Sequence, residues 1–96
     1  MEIVKKAQAG SFESSDVLVL IEPVEKGTGR KIEVDSAVQR QYGDQILTII
    51  QESLDEYEVN DIHLVFNDKG AIDTVIKARL ETAIKRASNA QKGTMY

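Results

Sequence analysis

Cysteine and tryptophan are absent from this chain of 96 residues, and histidine and proline occur once each. Without thiols there is no disulfide framework, no cysteine nucleophile and no thiolate metal ligand. A lone imidazole, His63, leaves too few nitrogen ligands for a zinc site built within the chain. Aromatic residues make up 5% of the sequence. Tyr42, Tyr57 and Phe66 fall at core-facing positions of periodic segments, so no base-stacking platform is expected. Positive charge is also scarce. Twelve Lys and Arg against sixteen Asp and Glu give a net charge of −4 at pH 7, and no basic field is available to attract a phosphate backbone. No apolar run approaches the length of a membrane span, and the first residues lack the basic-then-apolar pattern of a secretory signal. Neither nucleic acid nor membrane is an expected partner, and the cytoplasm is the expected location.

What is present suffices for one small core. Hydrophobic residues make up 42% of the chain, and a chain of this size buries roughly two thirds of its unfolded surface on folding. After a weakly extended start at residues 3–12, Val17 to Ile21 form an unbroken β-prone run that predicts a strand buried on both faces. Pro23 lacks an amide donor and belongs at that strand's end. The Gly-rich "EKGTGR" predicts a hairpin connection. "KIEVD" then alternates, so three antiparallel strands in a meander are the simplest expectation.

The period then changes. Val38, Tyr42, Ile46, Ile49, Ile50, Leu54 and Tyr57 are spaced by threes and fours, as on an amphipathic helix. Ser36 with Gln39 reads as a capping box that starts this helix near residue 36. Ile62, Leu64 and Phe66 alternate with an outward His63 in a further strand. Ile72, Val75, Ile76, Leu80, Ala83, Ile84 and Ala87 form a second helical stripe. Asp73, Lys77, Glu81 and Lys85 make a charge ladder on its other face, and Asn67 and Asp68 are candidate caps. The order β-β-β-α-β-α predicts an α+β two-layer sandwich, a four-stranded mainly antiparallel sheet covered by two helices. Residues 1–88 form the expected domain and 89–96 a flexible tail.

Candidate chemistry is sparse. "GTGR" lacks the context of a phosphate-binding loop and is better read as a turn. Ser53-Leu54-Asp55 lies inside a helix, reversed from the Asp-Ser-Leu order of ordinary helical acyl carriers, and is a decoy. "GSFESSDVLVLIEPV" (residues 10–24) places Ser11, Ser14 and Ser15 between acids ahead of the most apolar run. A catalytic serine needs a base, an orienting group and oxyanion donors, none of which accompanies these residues in sequence. On physical grounds the stretch is a hairpin tip whose Ser and Asp side chains bond nearby amides.

"AGSFESSD" (9–16), "QYGDQI" (41–46) and "DKGAIDTVIKARLETAIKRA" (68–87) closely resemble the acyl carrier (gamma) subunit of bacterial citrate lyase, in order and spacing, from about Ile3 to Ala87. The resemblance implies a non-catalytic subunit whose Ser14 carries phosphoribosyl-dephospho-coenzyme A through a phosphodiester. It implies presentation of acetyl and citryl thioesters during cleavage of citrate to acetate and oxaloacetate. The implied partners are the alpha (acyl transferase) and beta (citryl lyase) subunits, with a prosthetic-group transferase and an acetate ligase acting on the arm. Family members often have glycine or another small residue where Ser15 stands. Two alternatives remain at this point: the carrier subunit of malonate decarboxylase, which bears the same kind of arm, and a non-enzymatic protein-interaction domain. Glu13 and Asp16 beside Ser14 lead to a further expectation, that like charge holds a phosphate-bearing arm away from its own carrier.

Overall fold

A computed structural model describes residues 1–36 and 43–88. In chain order the elements are β1 (Ala7–Gly10), β2 (Val17–Glu22), β3 (Arg30–Ser36), α1 (Gly43–Glu56), β4 (Ile62–Asp68) and α2 (Asp73–Ala87). They form the expected α+β sandwich: one four-stranded sheet with both helices packed on one face. The sheet order is β1-β2-β4-β3. β1 pairs antiparallel with β2, and β2 antiparallel with β4, so the sheet is mainly antiparallel.

The meander is not formed. β3 does not pair with β2 but lies parallel to β4, with Ile32 opposite Leu64 and Val34 opposite Phe66. The reason lies in the burial of the two strands. In β4, Ile62, Leu64 and Phe66 are fully buried on the helix-covered face, while the intervening residues are half-buried. Such a strand belongs at the centre of a sheet, where both of its edges are hydrogen-bonded. β3 buries none of its residues fully and takes the edge. A parallel neighbour requires a crossover connection, here supplied by α1.

β2 also departs from the two-sided burial expected of it. Val17, Val19 and Ile21 join the core, Leu18 is buried on the opposite face, and Leu20 on that face is half-exposed. Pro23 directly follows the strand, as its missing amide donor requires.

In α1, Ile46, Ile49, Ile50 and Leu54 are buried; in α2, Ile76, Leu80, Ala83, Ile84 and Ala87 are. Each fully buried Leu, Ile or Phe contributes about 1.5–3 kcal/mol relative to exposure. Phe66 on β4 is the largest of them, and Tyr57 packs partly buried against the same core. Ile72 leaves the predicted stripe. It is the N-cap of α2 and 68% exposed.

The capping expectation at Asn67 and Asp68 is corrected, and the box expected of Ser36 with Gln39 extends to residues outside those described. Ser36 is the last residue of β3, and its hydroxyl donates to Asp68 Oδ2 at 2.9 Å. Asn67 and Asp68 end β4, and α2 has no side-chain cap. Asp68 instead accepts the amides of Gly70 and Ala71, each at 3.0 Å, and so shapes the β4–α2 turn. Of the charge ladder, Lys85–Glu81 forms at 2.8 Å. Gln39, Val38, Tyr42 and the tail 89–96 lie outside the described residues. Ser88 closes the described fold through an antiparallel bridge to Ile3.

Candidate functional site

Residues 11–16 connect β1 to β2, the hairpin tip expected for the three serines. Its entry depends on Gly10. This residue has φ +94°, and a Cβ placed on it would lie 1.7 Å from the Val17 carbonyl oxygen. With only hydrogen there, the strands close tightly and the Ser11 amide donates to the Val17 carbonyl at 3.1 Å.

Asp16 then organises the loop. Its Oδ2 accepts from the Ser11 hydroxyl at 2.7 Å, and its Oδ1 accepts from the Val17 amide at 2.7 Å. Arg79, from α2, completes the set with Nε on Oδ1 and Nη2 on Oδ2, both at 3.0 Å. A bidentate guanidinium–carboxylate pair fixes orientation as well as charge. Arg79 foremost, then Ser11 and the Val17 amide, hold the Asp16 carboxyl down at about 2, against an ordinary 3.8. The Ser11 hydroxyl also accepts from the Glu13 amide at 3.2 Å. Arg79 and Arg86 are two helical turns apart and share one side of α2. Arg86 bonds the Gln8 carbonyl of β1 at 2.9 Å, so the helix grips the hairpin at two points.

The apex is a four-residue turn closed by the Asp16 amide donating to the Glu13 carbonyl at 3.1 Å. Ser14 and Ser15 are its central residues. Ser15 has φ +66°, in the left-handed region that favours glycine, as at the third position of a type II turn. The Lys69 main chain, directly after β4, braces the turn: Ser15 N–H donates to the Lys69 carbonyl and Lys69 N–H to the Asp16 carbonyl, each at 2.9 Å. Ser14 is exposed at the first central position of the turn, and its hydroxyl has no hydrogen-bond partner among the described residues. Beside it Phe12 is 63% exposed, with Lys69 Nζ 5.6 Å from its ring centroid.

The other sequence candidates are elsewhere. His63 lies on the open face of the sheet, with Nε2 at 2.6 Å from Glu33 and Nδ1 at 3.4 Å from Glu22. It pairs with Glu22, at the far end of β2 from the serine turn, roughly 17 Å along the strand. It is not a base for these serines. Arg30 of "GTGR" is engaged by the Val59 carbonyl, Gln51 and Asp55, at 2.9, 2.8 and 2.9 Å. Leu54 of the decoy triplet is buried in the core. Among the described residues no cluster of His, Asp or Glu suits a metal ion, and no helix is long and apolar enough to cross a membrane.

Sequence reasoning missed Gly10, Arg79 and Lys69. Arg79 lies inside a quoted motif, but its partner is 63 residues away, and helical periodicity alone gave no sign of that contact.

Comparison with known proteins identifies the family. Residues 4–87 match the family model described as "Malonate decarboxylase delta subunit (MdcD)" within the acyl carrier group. The citrate lyase acyl carrier protein of Edwardsiella ictaluri (strain 93-146) is 43% identical over 89 residues, covering 93% of this chain and 90% of the relative. That of Cronobacter sakazakii (strain ATCC BAA-894) is 46% identical over 91 residues, covering 95% and 92%. This chain belongs to the citrate lyase acyl carrier protein family. The carrier of Halothermothrix orenii (strain H 168 / OCM 544 / DSM 9562) shares 41% identity over 88 residues, covering 92% of each chain. A chain in the crystal structure of a Pseudomonas malonate decarboxylase hetero-tetramer in complex with malonate shares the fold, with a TM-score of 0.73. It is 21% identical and covers 92% of this chain and 93% of its own. Membership in an acyl carrier family implies a covalently attached prosthetic group and work within a multisubunit complex.

Proposed function

We propose that this chain is the carrier subunit of a cytoplasmic citrate lyase complex and that Ser14 Oγ is the attachment atom for phosphoribosyl-dephospho-coenzyme A. Residues 1–88 form the carrier domain and 89–96 its tail. The observation that carries this reading is an exposed, unbonded hydroxyl at the apex of a turn locked from three sides. Asp16 and Arg79 fix the turn's base, and Lys69 braces its exit. The residues fit the group: the apex oxygen is open to a modifying enzyme, and Lys69, whose main chain bonds the neighbouring Ser15, supplies a cation in the same region. When bound, the group supplies the thiol that a cysteine-free chain lacks.

The chain itself positions and tethers. A rigid turn defines where the attached group begins, and tethering raises its effective concentration at nearby sites. No activating base is needed at Ser14, because the modification is performed by a separate transferase. Partner alpha (acyl transferase) and beta (citryl lyase) subunits supply the catalytic groups, and an acetate ligase loads the arm.

Intact mass after coexpression with the dedicated transferase tests the assignment. A mass gain that maps to Ser14, disappears in Ser14→Ala and persists in Ser15→Gly is expected. An unmodified chain, or a gain retained in Ser14→Ala, overturns it. The matching family model and the structural neighbour favour one second reading, the carrier of a malonate decarboxylase. Acceptance of the loaded chain by purified citrate lyase subunits, but not by malonate decarboxylase subunits, decides between the two.

A further inference from the structure

The tip carries four charges, and two of them neutralise each other. Asp16 is bidentately paired with Arg79, which leaves Glu13 and Lys69. The sequence-based expectation of a purely repulsive, acidic tip therefore changes. Lys69 has no ion pair among the described residues, and its main chain is bonded to both Ser15 and Asp16. Its ammonium stands over the exposed ring of Phe12. Phe12 contributes nothing to the core, and the ring lies two residues from Ser14.

We infer that Phe12 and Lys69 form a recognition patch for the adenine-nucleotide portion of the prosthetic group, with Lys69 facing phosphate and the open face of Phe12 receiving the base. An ammonium beside a phosphate makes a charge-assisted contact. A flat apolar ring accepts any base by stacking. Phe12 precedes Ser14 by two residues, and the Lys69 main chain bonds the two residues that follow it, so both groups belong to the loop that bears the attachment atom. This inference rests on the Ser14 assignment but is tested separately from it. The same chemistry has two sources, a free donor nucleotide before attachment and the tethered group afterwards.

Dephospho-coenzyme A titrated into the labelled, unmodified chain addresses the first source. Amide shifts are expected at residues 12–16 and 69–70, weakened by salt. Phe12→Ala should weaken binding about tenfold, and Lys69→Gln should weaken it with loss of the salt dependence. The second source is read in the modified chain by proton contacts between adenine and the Phe12 ring, absent in Phe12→Ala, and by the phosphodiester phosphorus shift in Lys69→Gln. Both substitutions spare the core, and unchanged amide shifts outside the tip verify the fold. Contacts in either arm support the patch and identify its source. No contact in either arm, with Ser14 modified normally, overturns it and leaves the carrier assignment intact. The same follows if both variants lose only partner-subunit turnover, which makes the patch a protein-docking surface. An unmodified Ser14 with dephospho-coenzyme A still bound at Phe12 and Lys69 sinks the carrier assignment, not the patch.

Discussion

The two ends of the sheet are built from similar parts and put them to opposite use. At one end, Gly10, Ser11, Asp16 and Arg79 shape the serine turn. At the other, Gly27, Thr28, Gly29, Asp61 and Arg30 shape the β2–β3 connection. In both, an aspartate accepts turn amides: Asp16 from Val17, and Asp61 from Gly29 at 2.8 Å. In both, its carboxyl is held below the ordinary range by those bonds, at Asp16 with Arg79 as the leading cause. The difference is what is left over. Thr28 donates its hydroxyl to the Glu25 carbonyl at 2.6 Å, and Arg30 is consumed by α1 and the segment after it. The hydroxyl and the guanidinium of that connection both work internally. At the serine end, Ser11 and Arg79 do the structural work, and the apex hydroxyl of Ser14 remains unused. A turn offers a side chain outward only when other residues already satisfy its backbone.

The comparison breaks most sharply at the glycines. Gly10 and Gly27 share φ +94°, but a Cβ at Gly27 meets nothing within 4 Å. Gly27→Ala therefore bears only the left-handed penalty, about 1 kcal/mol. Gly10→Ala adds a backbone collision and is expected to destabilise by about 3 kcal/mol or more. Denaturant midpoints of the two variants measure the difference, and equal shifts would refute the close-approach account.

Next comes the lock on the serine turn. Arg79→Met should return the Asp16 carboxyl toward 3.8, read by carbon NMR titration, and speed amide exchange over residues 11–17. The sign follows from linkage. With its folded value depressed to about 2, Asp16 stabilises the fold at pH above about 4, and that contribution is lost as pH falls toward 2. The variant should be less stable at neutral pH and show a shallower acid loss over that window. An unchanged acid profile would mean that Asp16 is held by Ser11 and Val17 alone.

The smallest effects lie at the apex. Ser15→Gly relieves the left-handed residue and should stabilise by up to about 1 kcal/mol. Ser14→Ala should change stability by less than about 0.5 kcal/mol while abolishing modification. A stability loss in Ser14→Ala comparable with that of Arg79→Met would show the hydroxyl to be structural after all.

Much of the local structure was legible in the chain. Alternation at Ile62, Leu64 and Phe66 identified β4, and the three-four spacing of Ile46, Ile49, Ile50 and Leu54 identified α1, because one-sided burial imposes its period on the residues. The serine tip was legible as a turn from its Ser and Asp content. The assignment of Asn67 and Asp68 as caps failed because short polar side chains bond amides in several settings, and Asp68 serves the turn after β4.

By itself, then, the sequence determined the number and type of elements, the core stripes of α1 and β4 and the resemblance that singles out Ser14. These are properties of neighbouring residues, and local spacing encodes them. The tertiary structure alone decided that β4 enters between β2 and β3, that Arg79 crosses 63 residues of sequence to hold Asp16, and that Lys69 stands beside Phe12 at the apex. Such choices depend on which strand must be buried on both edges and which charges the packed helices bring within reach. Both are settled only when the whole core closes.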